Sequence, residues 1–115
     1  SAPCHCRLMA PAADAMAEAL AGVTLHLPSL PVWSNVTARP VDDPAELREN
    51  LITQVTGMVR WRETLENMAA DGITRFVEIG TGKVLAGLVK RTLPDAEAMS
   101  IEGPEDVDGF LNSIA

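Results

Sequence analysis

Tyrosine is absent from this chain of 115 residues, and its aromatic set amounts to Trp33, Trp61, Phe76 and Phe110. Any core must therefore be aliphatic, assembled from Ala, Leu, Val and Met. Basic residues are also scarce: nine Lys and Arg stand against sixteen Asp and Glu, for a net charge of −7. That balance argues against nucleic acid as a partner, because phosphates are repelled unless a basic patch is segregated on the surface. No run of about 18 apolar residues is present, so no membrane-spanning helix and no membrane association are expected. The first residues carry neither the basic flank nor the long apolar stretch of a signal peptide, which makes the cytoplasm the expected location. The two cysteines, Cys4 and Cys6, lie one residue apart, too close for an ordinary unstrained bridge, and are expected as thiols packed like small hydrophobes.

What is present reads as globular, with 47% hydrophobic and 22% charged residues. The length suits one domain or part of one. A start at Ser1 without Met suggests a processed, cleaved or truncated chain. No internal repeat or low-complexity linker interrupts it.

Pro3 blocks helix formation just before it, and Leu8, Met9, Ala12, Ala13, Met16 and Leu20 then recur at helical spacing, which predicts a helix over 7–21 with Pro11 in its opening turn and Gly22 ending it. Val32-Trp33-Ser34-Asn35-Val36, bounded by prolines, reads as a short buried strand, and 39–44 as a loop. Asp43 is a plausible N-cap with Pro44 at the first position of a helix reaching about Thr56, reinforced by Glu46. A further helix opens near Val59 or Arg60 and ends at Asp71-Gly72. Ile73 to Ile79 is a strand of β-branched and aromatic residues. A Gly turn, a short helix over 84–91, a weaker strand over 96–101 and a terminal helix to about Ile114 complete the pattern. Strands alternating with helices predict an α/β fold, helices layered on a small, partly parallel sheet. Three short strands make a meagre sheet, so residues 1–115 are expected to be a piece of a larger domain.

Four local signals bear on chemistry. His5 is predicted at the mouth of the first helix, held yet accessible, and an imidazole with a reference pKa of about 6.5 takes and returns protons near neutral pH. A lone His beside apolar residues is more often simply packed or solvated. Cys4-His5-Cys6 offers metal-capable ligands, but consecutive residues rarely all face one tetrahedral ion, and His26 is the only other imidazole, so no metal site is expected. Gly80-Thr-Gly-Lys83 sits between strand and helix as a phosphate loop would. A P-loop, however, puts about four residues between its first Gly and the Gly-Lys pair and follows them with Ser or Thr. Here Thr81 alone intervenes and Val84 follows, so a tight turn in which glycines let the helix approach the sheet is the better reading. Lys83, Lys90 and Arg91 form the only positive cluster, either a docking face or a solvated helix surface with dipole-compensating charges.

Together these segments resemble a known family. His5 followed by Cys-Arg-Leu-Met and an Ala-rich helix, Pro31-Val-Trp-Ser-Asn-Val36, Gln54 ahead of Val59-Arg-Trp61, and Phe76-Val-Glu-Ile-Gly-Thr-Gly-Lys-Val-Leu-Ala-Gly-Leu-Val-Lys-Arg91 are similar, in order and spacing, to the C-terminal portion of malonyl-CoA:acyl carrier protein transacylases. The resemblance covers nearly the whole chain. It implies membership of an α/β-hydrolase-like large subdomain, and an acyltransferase activity in fatty acid biosynthesis. In that reaction malonyl passes from coenzyme A to a Ser and then to the phosphopantetheine thiol of an acyl carrier protein. A coenzyme A thioester is substrate, and no bound cofactor is implied.

In the family His5 matches the general base and acid of a Ser-His dyad, and Gln54 matches the residue whose main chain orients it. Val84 matches a position beside the coenzyme A, and Asn35 falls near the active-site end of its strand; both are implied substrate-binding residues. Lys83, Lys90 and Arg91 become candidates for carrier-protein docking. Two positions depart from the family: Thr81 stands where Pro is usual, and Cys4 where Phe or Ser is common and where related polyketide acyltransferases select extender units. The nucleophilic Ser on its Gly-x-Ser-x-Gly elbow, the Arg for the malonyl carboxylate and the ferredoxin-like subdomain have no counterpart; Ser34 and Ser100 lack an elbow, and Ser1 is terminal. This chain alone is therefore expected to be inactive and to need the missing N-terminal part as a partner. The alternatives are a non-enzymatic binding module for an acidic partner and a piece of a polyketide-type acyltransferase.

Overall fold

The computed structural model describes residues 4–115. The expectation for Pro3 and the terminal position of Ser1 lie outside the described residues. The chain divides into two compact units, Ser1–Thr64 and Leu65–Ala115, with the boundary inside one helix. Its elements are α/β in kind.

In the first unit a 3₁₀ turn at Arg7–Met9 leads into helix α1, Ala10–Ala21, with Pro11 in its first turn and Gly22 closing it. Pro at that point removes an N–H that would be unpaired anyway. Strand β1, Val32–Trp33, pairs antiparallel with β2, Pro40–Val41, in the register Val32 to Val41 and Trp33 to Pro40. Helix α2, Pro44–Thr53, starts as the sequence predicts: the Asp43 carboxylate accepts from the Ala45 N–H at 3.1 Å. Arg48 donates to the Val23 carbonyl at 2.7 Å, which fixes α2 against the chain leaving α1.

Three expectations change here. The predicted strand over 32–36 stops at Trp33, because Ser34 turns the chain: its Oγ accepts from the N–H groups of Val36 at 3.2 Å and Thr37 at 3.3 Å, and its carbonyl accepts from Ala38 at 2.9 Å. The predicted loop over 39–44 contains β2, which pairs despite its proline as only an edge strand can. Val32 is 46% exposed, so β1 is not the buried strand the sequence suggests, and the core lies instead at Ser34, Ala38 and Val41.

Helix α3, Trp61–Ala70, carries the unit boundary and buries Thr64 and Leu65. In the second unit β3, Arg75–Ile79, lies parallel to β4, Glu97–Ile101, in the register Arg75 to Glu97 through Ile79 to Ile101. Parallel neighbours need a crossover, supplied by α4, Val84–Thr92, which packs on both strands with Ala86 and Val89 buried. Helix α5, Glu105–Ile114, follows β4 and packs on it, and Arg75 donates to its Ser113 carbonyl at 3.3 Å. In place of the expected single sheet, the described residues form two two-stranded sheets, one antiparallel in the first unit and one parallel in the second. No helix among the described residues is long and apolar enough to cross a membrane.

Candidate active site

His5 precedes the 3₁₀ turn with φ 56°, a left-handed conformation that few non-glycine residues adopt. It is exposed, as is Cys4, while Cys6 is half-buried. Contrary to the expectation of thiols packed like small hydrophobes, neither residue is buried in the core, although both are thiols. The imidazole reaches across to the end of α2, where Nδ1 lies 2.6 Å from the carbonyl oxygen of Gln54. A carbonyl can only accept, so Nδ1 carries a proton, and in the neutral imidazole Nε2 is left with its lone pair.

The availability of that carbonyl follows from how α2 ends. Its last turn tightens: Val55 N–H bonds Ile52 O at 3.2 Å, and the Thr53 carbonyl takes both Thr56 N–H at 3.3 Å and Gly57 N–H at 2.9 Å. Helix ends leave carbonyls without intrahelical donors, and a side chain can satisfy one of them. At Gln54 that side chain is His5.

Asn35 sits half-buried in the turn between β1 and β2, its carbonyl accepting from Arg60 N–H at 2.8 Å. The Arg60 guanidinium pairs with Glu63 and leans on the carbonyls of Val36 and Thr37 at 3.5 and 3.4 Å. Arg60 thereby ties the turn to the start of α3. The hydrogen bond from Arg60 holds the Glu63 carboxyl below its ordinary range. Ser34 spends its hydroxyl on the same turn, with Oγ engaged by two N–H groups.

Val84, Lys83, Lys90 and Arg91 all belong to the second unit, on or beside α4. Val84 is 70% exposed. Lys83 stands at the N-cap, where helix-dipole compensation cannot explain it, and its ammonium lies 3.2 Å from Glu102. Lys90 and Arg91 occupy the last turn. Lys83 and Lys90 border one open groove of about 310 Å³ with Ala86, Gly87 and Ala98 to Ser100, which Arg91 does not line.

The loop before α4 is filled by protein carboxylates. Glu78 accepts from Leu85 N–H at 3.2 Å and Ala86 N–H at 2.8 Å, and Glu102 accepts from Gly82 N–H at 3.0 Å. The helix N-terminus that a phosphate would need is taken by Glu78. Gly80 and Gly82 have φ 137° and 96°, and a Cβ on either would meet nothing within 4 Å. They serve backbone conformation, not the close helix approach that the sequence suggested. Sequence reasoning missed the capping role of Glu78, the turn acceptor Glu102 and the staple Arg60. Only the i, i+3 spacing of Arg60 and Glu63 was visible in advance.

No family model matches the chain. A malonyl CoA-acyl carrier protein transacylase of Haemophilus influenzae is 42% identical over 110 residues, 96% of this chain and 34% of the relative. The crystal structure of an acyl-carrier-protein-S-malonyltransferase from Bartonella henselae superposes with a TM-score of 0.94 at 43% identity, covering 99% of this chain and 36% of that one. A malonyl-transacylase solved in complex with a type II polyketide acyl-carrier protein gives 0.91 at 35% identity, covering 98% and 37%. Fold and sequence together define the class: along nearly its whole length, the chain is related to a segment of the acyl-carrier-protein acyltransferases. Within that class its relatives are the malonyl CoA-acyl carrier protein transacylases, of whose length it spans about a third.

Proposed function

We propose that this chain is the histidine-bearing part of a malonyl-CoA:acyl carrier protein transacylase of fatty acid biosynthesis, acting in the cytoplasm. On this reading residues 1–115 form the C-terminal part of the large subdomain, and the nucleophilic Ser, the oxyanion donors and the ferredoxin-like subdomain belong to another part of the enzyme. The observation that carries it is the Nδ1 to Gln54 carbonyl contact at 2.6 Å, which leaves Nε2 of an exposed imidazole as a base with a fixed tautomer.

The chemistry follows from that atom. His5 Nε2 takes the Ser hydroxyl proton as Ser Oγ attacks the malonyl thioester carbonyl. The tetrahedral intermediate collapses, the C–S bond breaks, and the imidazolium returns its proton to the departing coenzyme A thiolate. The carrier thiol then gives its proton to Nε2, attacks the malonyl ester and releases Ser Oγ, which regains that proton. No cofactor takes part. Asn35, in the unit of His5, and Val84, taken separately in the other unit, are each proposed to contact the coenzyme A thioester substrate, while Lys90 and Arg91, with Lys83, would meet the acidic carrier. A polyketide carrier in place of a fatty acid one would use the same steps.

A binding module for an acidic protein fits less well, because it gives no role to an imidazole whose Nδ1 is held 2.6 Å from the Gln54 carbonyl. The test is radiolabelled malonyl-CoA offered to the chain alone and together with the nucleophile-bearing part. The proposal expects no covalent label on this chain, and label on the other part only when both are present. Stable label on this chain alone would contradict it and point to Cys4 or Cys6.

A further inference from the structure

The carbonyl that orients His5 is presented by the turn beyond α2, and that turn depends on one residue with no side chain. A Cβ placed on Gly57 would lie 2.9 Å from the Thr53 oxygen, 3.7 Å from the Thr53 carbonyl carbon and 3.8 Å from the Gln54 Cα. The first distance is shorter than real Cβ atoms tolerate, and the atom it meets is backbone in the last turn of a helix, which cannot rotate aside. The Thr53 oxygen is also the acceptor for Gly57 N–H at 2.9 Å. A side chain here would therefore push against the same peptide oxygen that its own N–H must hold.

Gly57 is not needed for its backbone angles, since its φ is not among the positive ones of this chain. Nor do helix ends here need glycine in general: a Cβ on Gly22, which closes α1, would meet the Ala19 oxygen at 3.9 Å, an ordinary contact. The requirement is one of space, and it is specific to the end of α2. Relief of a 2.9 Å clash requires residues 53–54 and 57 to separate, and Gln54 carries the His5 acceptor.

We infer that Gly57 is a positioning residue for His5: by lacking a Cβ it lets the chain close under the last turn of α2 and so holds the Gln54 carbonyl against Nδ1. This inference rests on the proposed role of His5 as base. Its effect is on orientation, and a small displacement of a base costs far more in rate than in binding.

The test compares Gly57→Ala with Gly22→Ala in the complete enzyme, by nitrogen NMR of the His5 ring and by single-turnover acylation from malonyl-CoA. Wild type and Gly22→Ala should show the Nδ1–H tautomer and equal rates. Gly57→Ala should lose that tautomer preference and acylate about tenfold more slowly, with KM changed by less than about twofold. Retention of tautomer and rate in Gly57→Ala would overturn the inference. So would an Nε2–H tautomer in wild type, a result independent of whether the variant folds. A changed tautomer in Gly57→Ala with an unchanged rate, while His5→Ala is slow, would overturn it as well. His5→Ala acylating like wild type would instead overturn the role of His5 itself, whatever Gly57→Ala does to the tautomer.

Discussion

His5 Nδ1 donates to the main-chain oxygen of Gln54 at 2.6 Å across 49 residues of sequence, so the candidate base is oriented by a helix end and not by an acidic side chain. The consequence is sharp, because a main-chain acceptor survives substitution of the residue that bears it. Gln54→Ala in the complete enzyme should keep acylation within about threefold of wild type. A loss of about 100-fold, the scale of a disabled base, would show that the Gln54 side chain does the orienting.

Arg60 ties the turn between β1 and β2 to α3 through Glu63 and the carbonyls of Val36 and Thr37. Its contacts to those carbonyls are long, which limits their strength. Arg60→Met should destabilise the protein by about 1 kcal/mol, read from denaturant melting, and should raise amide exchange at 35–38 first. Uniform exchange with no local maximum there would remove the staple.

Asp106 gives a prediction in pH. Its carboxylate accepts from Glu102 N–H at 2.9 Å and Gly103 N–H at 3.3 Å, and these bonds hold its pKa below the ordinary 3.8. A depressed carboxylate contributes stability above its unfolded pKa, and that contribution is lost as pH falls through the folded value. Asp106→Ala should therefore loosen the start of α5 at neutral pH, seen as faster exchange over 102–107. The difference from wild type should close as pH falls below the ordinary aspartate range and through the lowered folded pKa. A difference that persists unchanged in acid would mean that the side chain acts by packing.

Joint replacement of Lys83, Lys90 and Arg91 by Ala should weaken transfer to the carrier protein while sparing acylation from coenzyme A. Within the set, Lys83→Ala alone should matter least, because Glu102 already neutralises it. Equal loss in both half-reactions would assign the cluster a structural role.

The parts of the fold that were legible in sequence are those set by neighbours along the chain. Asp43-Pro44 announces the start of α2, Gly22 the end of α1, and the β-branched run to Ile79 a strand, because caps and strand preference act within a few residues. Pro40-Val41 was not legible as a strand, since its pairing comes wholly from Val32 and Trp33 and not from its own composition. The exposure of Val32 and Ile79 contradicts their apolar character for a related reason: burial is decided by what covers a strand, which composition does not state. The contact of His5 with Gln54 was reached through resemblance alone. The carboxylates of Glu78 and Glu102 close a loop that reads from its glycines as if it were open to phosphate, and only their placement in space reveals it.

The central claim is that His5 is the base for a serine carried elsewhere in the enzyme, and single-turnover acylation by the complete His5→Ala enzyme tests it most directly. A positioned base contributes roughly 10²- to 10⁴-fold, so acyl-enzyme formation from malonyl-CoA should fall at least about 100-fold while the protein keeps its fold. Acylation within about threefold of wild type would contradict the account.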